Sequence, residues 1–214
     1  MTVPGRIEAA ALLLSLDPPP WFLRHARAVA EIAGWLGARA TDAGVPVDRR
    51  LVESAALLHD VDKIVGAAGA GAGEPHGDGS AAWLTARGHA ELAPAVAWHP
   101  VTRLADGDAF AAWLAWAGPE ARIVAYADKR AGQRLESMDD RFASWQRRYP
   151  PRDDGTGWDR AALAAIRGRA ALLEADVCAL TATAAAEVGR LRWTGPAIRR
   201  ARAAAVGSAP GPAR

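Results

Sequence analysis

The stretch AALLHDVDK, residues 55–63, decides the fold and raises the first question about function. Apolar residues recur here at spacings of three and four residues, a pattern that is typical of a helix with one buried face. His59 lies four residues after Ala55 and therefore shares that face. A buried ionisable side chain is costly unless it is paired or binds a metal ion. His59 and Asp60 thus indicate a candidate site at the end of a buried helix.

The same periodicity continues along the chain and predicts an all-α fold. Half of the sequence is apolar, Ala and Arg are abundant, and the β-branched and aromatic residues that favour strands are few. Helices are predicted over residues 7–16, 21–43, 49–62, 80–87, 91–98, 109–116, 120–132, 139–149 and 159–191. The glycine-rich stretch VGAAGAGAGEPHGDGS, residues 65–80, predicts a mobile loop directly after the first candidate site.

Three further predicted helices also place a metal-competent group on an apolar face. These groups are His25, His99 and Asp128, each aligned with apolar residues at helical spacing. A lone histidine of this kind is more often a satisfied core residue. Four coincident cases that include buried carboxylates need a common partner, because unpaired carboxylates are not left in protein cores. A metal ion supplies such a partner.

The order of these groups resembles the HD superfamily of metal-dependent phosphohydrolases. The motifs that carry the resemblance are His25, LLHDVDK (residues 57–63) and AYADKR (residues 125–130), and the likeness extends over residues 21–149. It implies an HD-domain-like helical bundle over residues 1–150. A linker and an additional long C-terminal helix are expected over residues 151–192. Residues 193–214 form a basic tail that we expect to be disordered.

The resemblance also implies a metal centre. One ion would be held by His25, His59, Asp60 and Asp128. A second ion, bridged by Asp60, would be held by the two extra histidines of the binuclear branch, His76 and His99. The expected cofactor is one or two divalent ions, Fe, Mn, Zn, Co or Ni, with Mg as a further option, and the sequence does not choose among them.

The lysines and one unusual aspartate extend the candidate site. The chain has 24 Arg but only two Lys, and Lys63 and Lys129 each follow a metal motif. A compact ammonium suits a crowded phosphate site, so Lys63, Lys129 and the adjacent Arg130 are predicted to bind substrate. Asp60, Asp62 and Lys63 are the candidate catalytic residues. Asp62 stands where many members of the family carry glycine, and an exposed helix-end charge is the alternative interpretation for it.

The HD resemblance implies a phosphohydrolase. Because the family acts mostly on nucleotides, we expect a metal-activated water to cleave a nucleotide-type phosphoester or phosphoanhydride. Two alternatives stay open. Some relatives load the same ligand set with two irons and act as oxygenases. A non-catalytic metal- or ligand-binding module would retain the metal for structure, with the Arg-rich C-terminal helix serving a partner.

Composition sets expectations about location and partners. The single cysteine, Cys178, excludes an internal disulfide framework and fits a reducing cytoplasm. No uncharged stretch approaches the roughly 18 residues that a membrane span needs. We therefore expect a cytoplasmic protein with a small phosphorylated partner and no membrane partner. From Arg190 onward there are six Arg and no acid, but a solvated terminus accounts for this charge without nucleic acid. Whether the chain forms a homodimer stays an open question at this point.

Overall fold

The computed structural model describes residues 3–66, 69–153 and 157–207, and within these ranges the protein is all-α, as predicted. The ten described helices are α1 (Arg6–Leu14), α2 (Pro20–Asp42), α3 (Arg49–Leu58), α4 (Asp78–Ala86), α5 (Ala93–Ala97), α6 (Gly107–Trp116), α7 (Pro119–Lys129), α8 (Met138–Arg148), α9 (Arg160–Leu180) and α10 (Thr194–Gly207). Among them, none combines the length and the apolar character that a membrane crossing requires. Part of the predicted mobile loop, residues 67–68, lies outside the described residues.

Helices α2, α3, α5 and α7 form the centre of the bundle. The long helix α2 packs along α3 and α7, and both α3 and α5 also contact α7. Proline opens α2, since Pro20 occupies its first turn, where no backbone N–H is needed. The Asp48 side chain begins α3 by accepting hydrogen bonds from the backbone N–H groups of Arg50 and Leu51. These caps fix where the two central helices start.

Helix α3 ends earlier than its periodicity predicts. It stops at Leu58 rather than at Asp62, and the chain continues as a 3₁₀ turn over Val61–Lys63. His59 caps the end of α3, and its Nδ1 lies 2.8 Å from the carbonyl oxygen of Ala56. The histidine therefore satisfies one of the free carbonyls that every helix end leaves.

The predicted helix over residues 159–191 is too long. Helix α9 ends at Leu180, and Ala182 takes a left-handed backbone conformation with φ 47°. The N–H of Thr183 then bonds the carbonyl of Cys178 at 3.0 Å, which closes the helix end. Such ends usually carry glycine. Because alanine stands there instead, no residue in the sequence marks the end of this helix.

The disorder predicted for residues 193–214 is wrong over residues 193–207. Trp193 is buried, and its indole N–H donates to the carbonyl of Ala30 in α2. Helix α10 follows and packs against α1 through Ala197, Ile198 and Ala201, which are all buried. Residues 208–214 lie outside the described residues.

The docking of α10 predicts a stability difference within that helix. Ile198 is 6 % exposed, whereas Val206 is 78 % exposed. Ile198→Ala should lower the free energy of unfolding by about 2–4 kcal/mol, because it leaves a cavity against α1. Val206→Ala should change it by less than about 0.5 kcal/mol. Denaturant unfolding of both variants measures the difference, and two equally small effects would contradict the docked helix.

Candidate metal centre

The structure brings together all six side chains that the HD resemblance implies as metal ligands. His25 comes from α2, His59 and Asp60 follow α3, and Asp128 lies in the last turn of α7. The remaining two are His76, which precedes α4, and His99, which follows α5. His59, Asp60, His99 and Asp128 are buried, and His25 and His76 are partly buried. Residues that are far apart along the chain thus meet at one end of the central bundle.

Each of the four imidazole rings uses its Nδ1 atom to hold its orientation. Nδ1 of His25 lies 2.6 Å from the carbonyl oxygen of Gly132, and Nδ1 of His99 lies 2.6 Å from that of Val96. His59 makes the equivalent bond to Ala56. A carbonyl oxygen only accepts, so Nδ1 must donate in these three rings. In its neutral form each ring then presents the lone pair of Nε2, which is the form that ligates metals.

The Nε2 atoms of His25 and His59 converge on two carboxylates. They lie 3.3 Å from each other. Nε2 of His25 is 3.4 Å from Oδ2 of Asp60 and 3.3 Å from Oδ1 of Asp128. The corresponding distances from His59 are 3.5 and 3.6 Å. These four side chains make up the first cluster.

The other two histidines converge on the opposite oxygen of Asp60. Nε2 of His76 and Nε2 of His99 are 3.2 Å apart. They lie 3.3 and 3.1 Å, respectively, from Oδ1 of Asp60. His76, His99 and Asp60 form the second cluster. Asp60 belongs to both clusters, with one carboxylate oxygen facing each pair of histidines.

The donor set fits a divalent metal ion. Three overlapping groups have ligand atoms close enough to share an ion, namely His25 with His59 and Asp128, His59 with Asp60 and His99, and Asp60 with Asp62 and His76. Imidazole nitrogen and carboxylate oxygen together suit Zn, Fe, Mn, Co and Ni. The described residues therefore contain clusters that are able to bind a metal ion.

The electrostatics of the clusters reflect burial opposed by charge pairing. Burial would lower the pKa of His25, but hydrogen bonds to Asp128 and Asp60 outweigh it and raise the pKa to about 9. For His76, burial is likewise outweighed by Asp60 and Asp62, and the pKa rises to about 9. Burial dominates for His99 and lowers its pKa to about 4. The imidazoles hold the pKa values of Asp60 and Asp128 well below the usual range, although burial opposes this.

Asp62 has a role that neither sequence-based interpretation anticipated. Its carboxylate lies 3.0 Å from Nδ1 of His76 and accepts the backbone N–H of Gly77 at 2.8 Å. It is therefore not an exposed helix-end charge, since its side chain is 13 % exposed. The carboxylate orients His76 in the way that backbone carbonyls orient the other three rings. Gly77 has φ 91°, and a side chain at Gly79 would crowd Asp62, so both glycines serve this contact.

The predicted substrate-binding residues separate into two groups. Lys63 is 41 % exposed and donates to Oδ2 of Asp60 at 2.7 Å. Lys129 and Arg130 are not available for substrate. The Lys129 ammonium is fully buried and donates to the carbonyls of His99 and Ala125. Burial lowers its pKa to about 8.

Arg130 is also buried and points away from the clusters. Its guanidinium donates to the Tyr126 hydroxyl at 2.6 Å and to the carbonyl of Ala185, and it lies 3.5 Å from the Glu174 carboxylate. Arg130 thus ties α7 to α9 and to the segment that follows α9. In the sequence motif DKR, the aspartate therefore belongs to a cluster, as predicted. The lysine and the arginine bind neighbouring backbone and side-chain groups instead of lining the cavity.

A cavity of about 600 Å³ opens beside the second cluster. Its lining includes Asp62, Lys63, Glu74 and His76, together with small residues of the glycine-rich stretch. This volume falls within the range of about 300–1,000 Å³ that small-molecule sites occupy. Among the described residues that line it, Lys63 is the one lysine or arginine. The clusters therefore have an adjoining space that could admit a small molecule.

The comparison with known families agrees with this geometry. A family model described as HD domain matches residues 22–132, which contain all six clustered side chains. No curated protein matches the chain significantly, and no solved structure does so either.

The raised pKa values predict a pH-dependent benefit from metal binding. In the metal-free protein, His25 and His76 keep their protons up to about pH 9, whereas unfolded histidine loses its proton near 6.5. The folded state therefore binds more protons over this interval, and its stability should fall as pH rises through it. An ion must displace these protons, so it binds more tightly at higher pH.

The increase in melting temperature on adding Mn²⁺ to chelator-treated protein should thus grow from pH 6.5 to pH 8.5. A constant or shrinking increase would contradict the assignment of these rings to the clusters.

The Asp62 contact predicts a selective loss of metal affinity. Asp62→Ala removes the acceptor that holds His76, and losing an outer partner of a ligating histidine typically costs about 10–100-fold in metal affinity. Isothermal titration should show this loss for an ion at the second cluster, with the first cluster little affected. Asp78→Ala is the matched control, because Asp78 lies two residues after His76 but pairs with Arg103. Equal losses in both variants would mean that Asp62 acts only through general charge.

Proposed function

The chain belongs to the HD-domain family, and from this membership and the geometry of its clusters we propose that it is a metal-dependent phosphohydrolase. The proposed substrate is a nucleotide-type phosphoester or phosphoanhydride. The observation that carries the proposal is the position of Asp60, whose two oxygens face two histidine pairs beside an open cavity. A metal-dependent hydrolase needs both ligands that hold its ions and an open space that admits the substrate.

Under this proposal the six clustered residues form two ion-binding positions. His25, His59, Asp60 and Asp128 would hold one divalent ion, and His76, His99 and Asp60 would hold a second. When bound, such ions make water more acidic, so that it attacks at neutral pH, and they neutralise charge on a phosphate. The remaining contributions come from side chains of this chain.

Lys63 is the proposed substrate-binding residue. Its ammonium lies 2.7 Å from Oδ2 of Asp60, and the same side chain lines the cavity. A flexible stem lets the ammonium remain at Asp60 or turn toward a phosphate in the cavity. Asp62 and Glu74 are the acidic residues that line the cavity, and Asp62 is already engaged by His76 and Gly77. Lys63 therefore supplies the positive charge that an anionic substrate requires.

Asp60 and Asp62 have different proposed roles. Asp60 stays ionised because the imidazoles hold its pKa well below the usual range, so it serves as a shared ligand. Asp62 is a positioning residue that acts through His76. This assignment differs from a direct catalytic role for Asp62, because its carboxylate contacts the ring nitrogen that faces away from Asp60.

The proposal predicts an oxygen-independent hydrolysis. Protein purified without chelator, with its metal content measured, should release phosphate from at least one member of a nucleotide panel at equal rates under air and nitrogen. His59→Ala and Asp128→Ala should lower kcat/KM by at least about a hundredfold, since each removes a ligand. His89→Ala is the matched control, because His89 lies outside both clusters and should retain activity.

In the same assay, Lys63→Met should raise KM more than it lowers kcat. Turnover that consumes oxygen would replace the hydrolase with an oxygenase. Metal-loaded protein that turns over no member of the panel would favour a non-catalytic binding module.

A further inference from the structure

We propose that a groove between α1, α10 and the start of α3 is a second binding site, which takes a soluble phosphorylated molecule with an apolar body. The groove has a volume of about 430 Å³. This value lies within the range of about 300–1,000 Å³ that small-molecule sites occupy. It exists because residues 193–207 are ordered and α10 docks on α1.

The groove combines an apolar floor with an unneutralised positive rim. Ile7, Leu191 and Pro196 contribute apolar surface, and Ile7 is 41 % exposed despite its large side chain. Three exposed arginines, Arg49, Arg192 and Arg200, line the same groove, and none of them makes an ion pair with the residues that the structure describes.

The acids near the groove are already engaged. Glu53 accepts two hydrogen bonds from the Arg6 guanidinium, at 2.6 and 2.5 Å. Glu8 accepts the backbone N–H of Gly5 at 3.2 Å and lies 4.0 Å from the Arg50 guanidinium. Arg6 also lies over the ring of Trp193, 5.2 Å from its centre, and so forms part of the wall. No acid among the described residues pairs with the three remaining guanidinium groups, so their positive charge is available to an anion in the groove.

The chemistry of the rim selects the class of ligand. Guanidinium groups bind phosphate through paired hydrogen bonds, which gives them both affinity and geometric selectivity for that group. The apolar floor adds affinity for a molecule that carries a hydrophobic or aromatic part next to its phosphate. A small inorganic anion would use only the rim, and a neutral apolar molecule only the floor.

This groove is separate from the metal centre. Arg49 is the first residue of α3, and His59 follows the last residue of the same ten-residue helix. A helix rises about 1.5 Å per residue, so the two sites lie about 15 Å apart at opposite ends of α3. A ligand in the groove therefore does not occupy the cavity beside Lys63.

The test uses 1-naphthyl phosphate as a fluorescent probe and the full chain kept metal-free with chelator, so that the metal centre cannot hydrolyse it. The wild-type protein should bind the probe saturably, and more tightly than it binds 1-naphthol or inorganic phosphate. The double variant R192Q/R200Q should weaken binding at least tenfold. R202Q is the matched control, because Arg202 is exposed on the same helix but does not line the groove, and it should stay within twofold.

Two further arms separate the proposal from its competitors. Lys63→Met should bind the probe as the wild type does, which distinguishes the groove from the cavity beside Lys63. Melting temperatures establish that each variant is folded. The protein should not sediment with phosphatidic acid vesicles. The assignment would be overturned by an absence of saturable binding, by equal weakening in R202Q, by equally tight binding of 1-naphthol, by loss of binding in Lys63→Met, or by sedimentation with the vesicles.

Discussion

The buried carboxylate of Asp60 is the constraint on which the rest of this structure depends. It is 1 % exposed and faces four imidazole rings, two at each oxygen. A carboxylate in such a position is stable only when surrounding groups compensate for the loss of water. Those groups come from α2, α3, α5 and the loop before α4, so these elements must converge on one point. The arrangement of the central bundle follows from that requirement.

The ends of two central helices orient two of the histidine rings in the metal centre. Helix α3 ends at Leu58 and α5 ends at Ala97, and a histidine follows each end within two residues. Each of these rings donates to a carbonyl in the last turn of the helix that precedes it, and the same bond turns its Nε2 toward Asp60. Helix termination therefore supplies the orientation that a metal-binding histidine needs from an outer partner. Only His76, which stands on a loop, requires a side chain, Asp62, for this purpose.

Periodicity predicted the all-α fold and placed His25, His59, His99 and Asp128 on apolar helix faces, because both follow from local patterns in the sequence. The full set of six, with Asp60 and His76, was implied by the resemblance to the HD family. What the sequence did not indicate depends on contacts between distant segments. The docking of α10 on α1 and the stop of α9 at an alanine with positive φ have no compositional signal. The contact from Asp62 to His76 could have been suspected from its unusual position after the HD pair. Its geometry depends on how the glycine-rich loop folds back, which spacing alone does not define.

The two lysines of this chain stand at positions where arginine would serve less well, and the physical reason differs between them. Lys129 is fully buried and places its ammonium between the carbonyls of His99 and Ala125. An arginine there would bring five donors and a planar group into a space that provides two acceptors, and the unpaired donors would be costly. The bond to His99 also fixes the backbone of a clustered residue. Lys63, by contrast, is partly exposed and remains beside Asp60, where a flexible stem keeps contact with both the carboxylate and the cavity. Burial with two acceptors therefore accounts for lysine at position 129. Reach to both the Asp60 carboxylate and the cavity accounts for it at position 63.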